Sequence, residues 1–191
     1  MSHPFFAYIA RMRYIVRWGL MRNTMQENIQ EHSHMVAVLA HALALIRRDI
    51  LNLPAPDPDR CAVAALYHDA SEILTGDLPT PIKYYNPDIK TAYKEVERIA
   101  GNRLLDMLPP ELRSSYTHYV LEDDAELEPF VKAADKLSAH IKCLEEQKAG
   151  NTEFDSAALQ TLDALKAMNS PELEWFLNNC LQAFTLNLDQ L

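Results

Sequence analysis

Glycine is scarce in this chain, with 4 in 191 residues, and few stretches alternate β-branched with polar side chains. Those shortages remove the usual marks of tight hairpins and sheets. Alanine, leucine, glutamate and lysine are plentiful instead, so the composition reads as all-α. Cysteine is sparse too. Cys61, Cys143 and Cys180 lie far apart with no CxxC spacing. That suits reduced thiols packed on helix faces in a cytoplasmic protein. No run of 18 uninterrupted apolar residues exists, and Met1-Ser2-His3-Pro4 does not lead a cationic patch into an apolar stretch. The reading is therefore no membrane span and no signal peptide. Basic residues are in deficit, 18 Lys and Arg against 27 Asp and Glu, a net charge of −9. This argues against a protein that coats polymeric nucleic acid, and leaves room for a small phosphorylated substrate held by one or two local cations. Repeats and low-complexity tracts are absent. What remains is a chain that is 48% hydrophobic, ample for a sizeable core, and of a length that suits one domain over residues 1–191.

The most informative stretch runs from Ala64 to Glu72, an apolar run that ends abruptly in His68-Asp69 with Glu72 close behind. Asp57 and Pro58 supply its helix start, an acidic cap followed by a proline at the first helical position. Read as one continuous helix, the segment puts Cys61, Ala65, His68 and Glu72 on one face, with Asp69 on the flank. Charge on the inward side of an apolar helix is costly unless it is paired or coordinated. The plainer alternative is a helix end with a solvated Asp and a half-buried His.

Helical periodicity covers residues 5–16 and runs into Arg17-Trp18-Gly19, followed by a polar break from Met21 to Thr24. Asn28-Ile29-Gln30-Glu31 is a capping box. The helix it opens extends to about Asp49 with an apolar face of Val36, Leu39, Leu43 and Ile46. One turn before Val36 stands His32, at the end of the buried stripe, whereas His34 and His41 fall off it. After Glu72, Leu74-Thr75-Gly76-Asp77-Leu78-Pro79-Thr80-Pro81 reads as a rigid turn bordering the same cleft. A long helix is expected from Pro87 to about Leu108, with a stripe of Ile89, Tyr93, Val96, Ile99, Ala100 and Leu104. A shorter one is expected from Glu111 toward Tyr119. Glu122 to Glu126 reads as a solvated acidic loop. The helix from Pro129 to near Gly150 faces inward with Val131, Ala134, Leu137, Ser138, Ile141 and Leu144. Asp135 lies beside that face, where it is expensive unless paired. Helices restart at Asn151-Thr152 and at Ser170-Pro171, the last with an apolar stripe from Leu173 through Phe184 to Leu188 that closes the core or meets another subunit.

Four candidates, His32, His68, Asp69 and Asp135, thus sit on or beside inward faces of three helices. The order His…His-Asp…Asp resembles the HD superfamily of metal-dependent phosphohydrolases. The resemblance narrows through Arg17-Trp18, the run Glu27 to Ser33, Tyr67-His68-Asp69-Ala70-Ser71-Glu72, Thr75 to Pro81, Lys132-Ala133-Ala134-Asp135 and Lys142 to Glu146. In all of these the chain is similar to the YfbR-type bacterial 5′-deoxynucleotidases. It departs at Gly19, where proline would follow Trp18. The resemblance implies an all-α HD-domain helical bundle and a homodimer. It also implies release of phosphate from deoxynucleoside 5′-monophosphates. It assigns ligand roles to His32, His68, Asp69 and Asp135, of which His32, Asp69 and Asp135 would also contact substrate. A catalytic role falls to Glu72 and phosphate orientation to Arg17. Trp18, Asp77, Leu78, Pro79 and Thr80 would form the nucleoside side.

Two imidazoles and two carboxylates suit one divalent first-row ion such as Co²⁺, Mn²⁺, Fe²⁺ or Zn²⁺. His118 and His140 leave a second ion open. Glu72 can orient or deprotonate water, and Arg17 can grip two phosphate oxygens at once. An HD hydrolase of a triphosphate or alarmone would need more cations than Arg17 and Arg22 provide. A non-catalytic nucleotide-binding protein would be expected to have lost Glu72 or a ligand.

Overall fold

The structure, a computed structural model, describes residues 2–79 and 86–191. A short α1 (Phe5–Ile9) continues as a 3-10 turn over Ala10–Tyr14. The helix expected through Val16 stops there. Ile15 turns extended at φ −99°, ψ 110°, and Val16 forms an isolated antiparallel bridge with Asn28. Backbone bonds Ile29 N to Ile15 O (3.0 Å) and Arg17 N to Glu27 O (2.9 Å) close residues 15–29 into a returning loop. Two β-branched residues favour that extended pairing over another helical turn.

α2 (Ile29–Leu45) starts on the capping box: Glu31 N donates to Asn28 Oδ1 at 3.0 Å and Asn28 N to Glu31 Oε2 at 3.4 Å. Its expected face is buried, and it ends in a π turn over Ile46–Ile50. α3 (Pro58–Tyr67) is capped by Asp57, whose Oδ1 accepts from Asp59 N at 3.0 Å. α4 (Glu72–Thr75) is a single turn ended by Gly76 at φ 74°, a backbone state that favours glycine.

α5 (Pro87–Leu105) and α6 (Pro110–Leu121) pack closely: a Cβ on Gly101 would lie 2.8 Å from Leu121 Cδ2. α5 stops short of Leu108, since Pro109-Pro110 disfavours helix just before it. Its stripe is only partly inward. Ala100 and Leu104 are buried, but Val96 and Ile99 are about half exposed. α7 (Glu128–Lys148), α8 (Asp155–Ala167) and α9 (Pro171–Asn179) complete the chain's main helices. α9 does not reach Leu188. Asn179 Nδ2 donates to Trp175 O at 2.7 Å, competing with the helical ladder, and the chain tightens into a 3-10 turn over Leu181–Thr185. Leu188 ends 86% exposed.

The main core lies between α2, α3 and α7, joined by Leu165 of α8 and by Leu173 and Phe176 of α9. A second cluster gathers Phe5, Ala70, Leu104, Leu105, Leu108 and Val120. Ala65 belongs to the first and Ala70 to the second, so the turn carrying His68 and Asp69 is pinned from both sides. A third, small cluster of Cys143, Phe154 and Ala158 takes Trp18 and Met21 against it. The three cysteines are free thiols. Among the described residues no helix is long and apolar enough to cross a membrane.

Candidate metal centre

The expected continuous helix from Asp57 to Glu72 is broken after Tyr67. His68 causes part of the break. Its Nδ1 donates to Ala65 O at 2.7 Å, satisfying a carbonyl of the last turn of α3, while Ala70 N and Glu72 N make tight turn bonds to Tyr67 O and Asp69 O. His68 and Asp69 therefore project from a turn, and Glu72 opens α4 with its side chain buried.

His32 comes up from the first turn of α2, fully buried. Its Nδ1 lies 3.2 Å from Ser138 Oγ and its Nε2 3.1 Å from Asp135 Oδ1, both on α7. Possible ligand atoms of His32, His68 and Asp135 all lie within 4.8 Å of one another, and this group could hold a metal ion. Asp69 stands at its edge, with Oδ2 3.6 Å from His32 Nε2 and 3.1 Å from His68 Nε2. With Nδ1 of each ring engaged, Nε2 faces the cluster, the arrangement that orients metal-binding imidazoles. His68 Nε2 is buried and makes no hydrogen bond; Asp69 approaches it as a paired charge. A buried ring nitrogen that makes no hydrogen bond and sits against carboxylates fits a cation between them.

The charges point the same way. Burial opposes charge on His68, but Asp69, backed by Asp135 and Glu122, outweighs it and pushes the imidazole up to about 10. Burial likewise fails to raise Asp69, which His68, His32 and Arg17 hold down to about 2. Asp135, only partly covered, is held well below the usual carboxylate range by its bond to His32 and by the charges of His68 and Arg17. The carboxylates thus call for positive charge at Nε2, which a proton or a metal ion supplies in competition.

Arg17 reaches the cluster from the returning loop. Its Nη1 lies 3.5 Å from Asp69 Oδ2, and its Nε donates to Glu27 Oε2 at 3.0 Å. Despite burial, Asp69, Asp135, Glu27 and Asp77 keep its guanidinium above its usual range. Trp18 beside it has φ 58°, in the left-handed region, which costs a bulky residue about 1–3 kcal/mol. The conformation is held by three contacts: Nε1 donates to Glu27 Oε2 at 3.1 Å, the ring sits 5.3 Å from Phe154, and its carbonyl accepts from Met21 N at 2.9 Å.

Asp77, Leu78 and Pro79 are half-buried in the segment leaving α4; Thr80 and Pro81 lie outside the described residues. His34 is exposed and His41 pairs with Asp59 at 3.4 Å, both away from the cluster as their off-face positions implied. His118 pairs with Asp123 on the surface, and buried His140 bonds Thr161 Oγ1 at 2.9 Å, so neither joins the cluster. Arg22 is turned outward to Glu153. The sequence pattern puts Ser138 on the inward face of α7 and gives Glu27 and Glu146 no role beyond the runs that contain them. Glu146 is 1% exposed and accepts from Thr24 N (2.9 Å), Thr24 Oγ1 (2.7 Å) and Asn151 Nδ2 (2.8 Å), tying the returning loop to α7. Only the four-residue spacing of Lys142 and Glu146 inside an apolar helix hinted at it.

A family model described as 5′-deoxynucleotidase YfbR-like matches residues 4–184. A 5′-deoxynucleotidase of Vibrio atlanticus is 47% identical over 192 residues, covering 100% of this chain and 98% of that protein. One from Erwinia tasmaniensis is 49% identical over 194 residues, covering 100% and 96%. Among solved structures, an HD-domain phosphohydrolase from Listeria innocua superposes with a TM-score of 0.83 at 20% identity, over 98% of this chain and 92% of that one. A cyanophage S-2L HD phosphohydrolase, solved with dA and one catalytic Zn²⁺ ion, gives 0.63 at 23% identity over 93% and 96%. These structural likenesses establish the all-α HD fold.

Proposed function

This chain belongs to the 5′-deoxynucleotidase YfbR-like family, and from that premise we propose that it is a metal-dependent phosphohydrolase. It converts 2′-deoxyribonucleoside 5′-monophosphates and water to deoxynucleosides and phosphate. The observation that carries this reading is the largely covered guanidinium of Arg17, 13% exposed, beside the His32, His68 and Asp135 cluster. One arginine plus one metal ion gives the dianion of a phosphate monoester two cationic partners.

His32, His68 and Asp135 would hold the ion, with Asp69 as fourth ligand; Co²⁺, Mn²⁺ or a similar divalent ion suits the donor set. When bound, such an ion supplies Lewis acidity toward the phosphate and makes nearby water more acidic. Arg17 binds two phosphate oxygens and, held on Asp69 and Glu27, keeps the phosphorus from turning. Glu72, buried at the start of α4, takes a proton from the attacking water and can return it to the departing 5′ oxygen. Asp77, Leu78, Pro79 and Thr80 border the nucleoside, and Trp18 covers the sugar. Arg22 lies at the surface, paired with Glu153, which weighs against a triphosphate or alarmone substrate.

The protein acts in the cytoplasm as a homodimer on a small substrate, not on polymeric nucleic acid. Free thiols support the first, and the acidic balance supports the last. Ile89, Val96 and Ile99, which the chain's own core leaves partly uncovered on α5, support the dimer. The test of the activity is phosphate release from a panel of deoxynucleoside mono- and triphosphates with Mn²⁺ or Co²⁺ supplied. Monophosphates should be hydrolysed and triphosphates spared; preference for triphosphates would overturn the reading.

A further inference from the structure

The indole of Trp18 has one polar atom, and Glu27 already occupies it. Glu27 Oε2 accepts from Trp18 Nε1 at 3.1 Å and, with the same oxygen, from Arg17 Nε at 3.0 Å. Its backbone carbonyl also accepts from Arg17 N at 2.9 Å. The side chains of Glu27 and Arg17 are 16% and 13% exposed, so these bonds are largely shielded from water. Phe154 backs the indole at a centroid distance of 5.3 Å. The ring is thus fixed at its N–H edge by a carboxylate and on its flank by a phenyl ring, on a backbone in the left-handed region.

We propose that Glu27 is a positioning residue for sugar selection: it locks the Trp18 indole with its only donor engaged, and so gives the pocket an apolar wall. This rests on the reading above, in which Trp18 covers the sugar. A ribose 2′-OH pressed against that wall loses its water and finds no donor or acceptor in return. Deoxyribose loses nothing. Through Arg17, the same carboxylate fixes the distance between the phosphate grip and the sugar wall, so phosphate and sugar are read by one rigid unit.

Two substitutions separate the two links. Glu27→Ala frees the indole N–H and lets the ring turn, so the 2′-OH gains a partner or a water. The ratio of kcat/KM for dAMP over AMP should fall at least about fivefold, the lower end for rescuing a buried hydroxyl. Glu27→Gln keeps an oxygen that accepts from Trp18 Nε1 but no charge for Arg17. It should raise KM for dAMP and hold the dAMP-to-AMP ratio close to the parent value. A merely structural role for Glu27 would lower both substrates alike and leave the ratio unmoved. An unchanged ratio in folded, metal-loaded Glu27→Ala overturns the proposal.

A second readout needs no substrate. In a Trp175→Phe background Trp18 is the lone tryptophan. Glu27→Ala should then red-shift its emission and speed its quenching by acrylamide, while Glu27→Gln should do neither. Unmoved emission and quenching in Glu27→Ala overturn the proposal. If the parent itself treats dAMP and AMP alike, the assignment of the activity fails, and the fluorescence result still decides whether Glu27 positions Trp18.

Discussion

Replacing Glu146 by alanine should destabilise the fold by about 3–5 kcal/mol, the range for removing one partner of a buried ion pair. The carboxylate is 1% exposed and Lys142, its partner four residues earlier, 7% exposed. Besides Lys142, the carboxylate receives Thr24 N, Thr24 Oγ1, Met25 N and Asn151 Nδ2. Its loss would strand those donors and leave the Lys142 ammonium on Met25 O and the face of Phe154, without its carboxylate partner. Against a total stability of about 5–15 kcal/mol, that is a large share. The pH dependence follows from the carboxyl's environment. Burial alone would raise its pKa, but Lys142, Asn151 and Thr24 hold it well below the usual carboxylate range. An unfolded glutamate titrates near about 4.3. The folded-state charge therefore contributes fully above that pH, and its contribution is lost as pH falls below it. Urea unfolding of the parent, Glu146→Ala and Glu146→Gln at neutral pH and through the acid range measures both effects. The parent should lose stability more steeply with acid than Glu146→Gln, which has no carboxyl to protonate. A cost under about 1 kcal/mol for Glu146→Ala, with parallel acid slopes, would show that this buried pair does not hold the loop to α7.

His32→Ala and Asp69→Ala should each abolish bound metal and activity while leaving helical circular dichroism intact; normal metal content in either would remove that residue from the ligand set. Glu72→Ala should lower kcat by at least about 100-fold, the lower range for general acid–base work, with metal and substrate still bound. A kcat within a few-fold of the parent would end its catalytic role.

Much of this was legible because helices announce their buried faces. Stepping back one turn from Val36 along the stripe of α2 found His32, and the Asn28 and Asp57 caps set the starts of α2 and α3. The helix containing His68 was read too long, because its own imidazole captures the Ala65 carbonyl, a side-chain effect that periodicity does not register. The α5 stripe was legible as apolar but not as partly exposed at Val96 and Ile99, since an exposed apolar face has the same period as one facing the core. Glu27 was quoted only as part of a run, and Glu146 meets Thr24 across 122 residues of chain. Neither contact leaves a local pattern. The left-handed backbone fell on Trp18 and not on neighbouring Gly19, against local preference, because contacts made by its side chain and carbonyl hold it there.

In the proposed function, selection for deoxynucleoside monophosphates rests on an apolar wall at Trp18. The most direct measurement is kcat/KM for dAMP and AMP, by phosphate release at fixed Co²⁺, in the parent and in Trp18→Ala. The parent should favour dAMP by roughly 5- to 150-fold, the equivalent of about 1–3 kcal/mol for an unsatisfied hydroxyl, and Trp18→Ala should lose much of that ratio. Equal rates on dAMP and AMP in the parent would contradict the account.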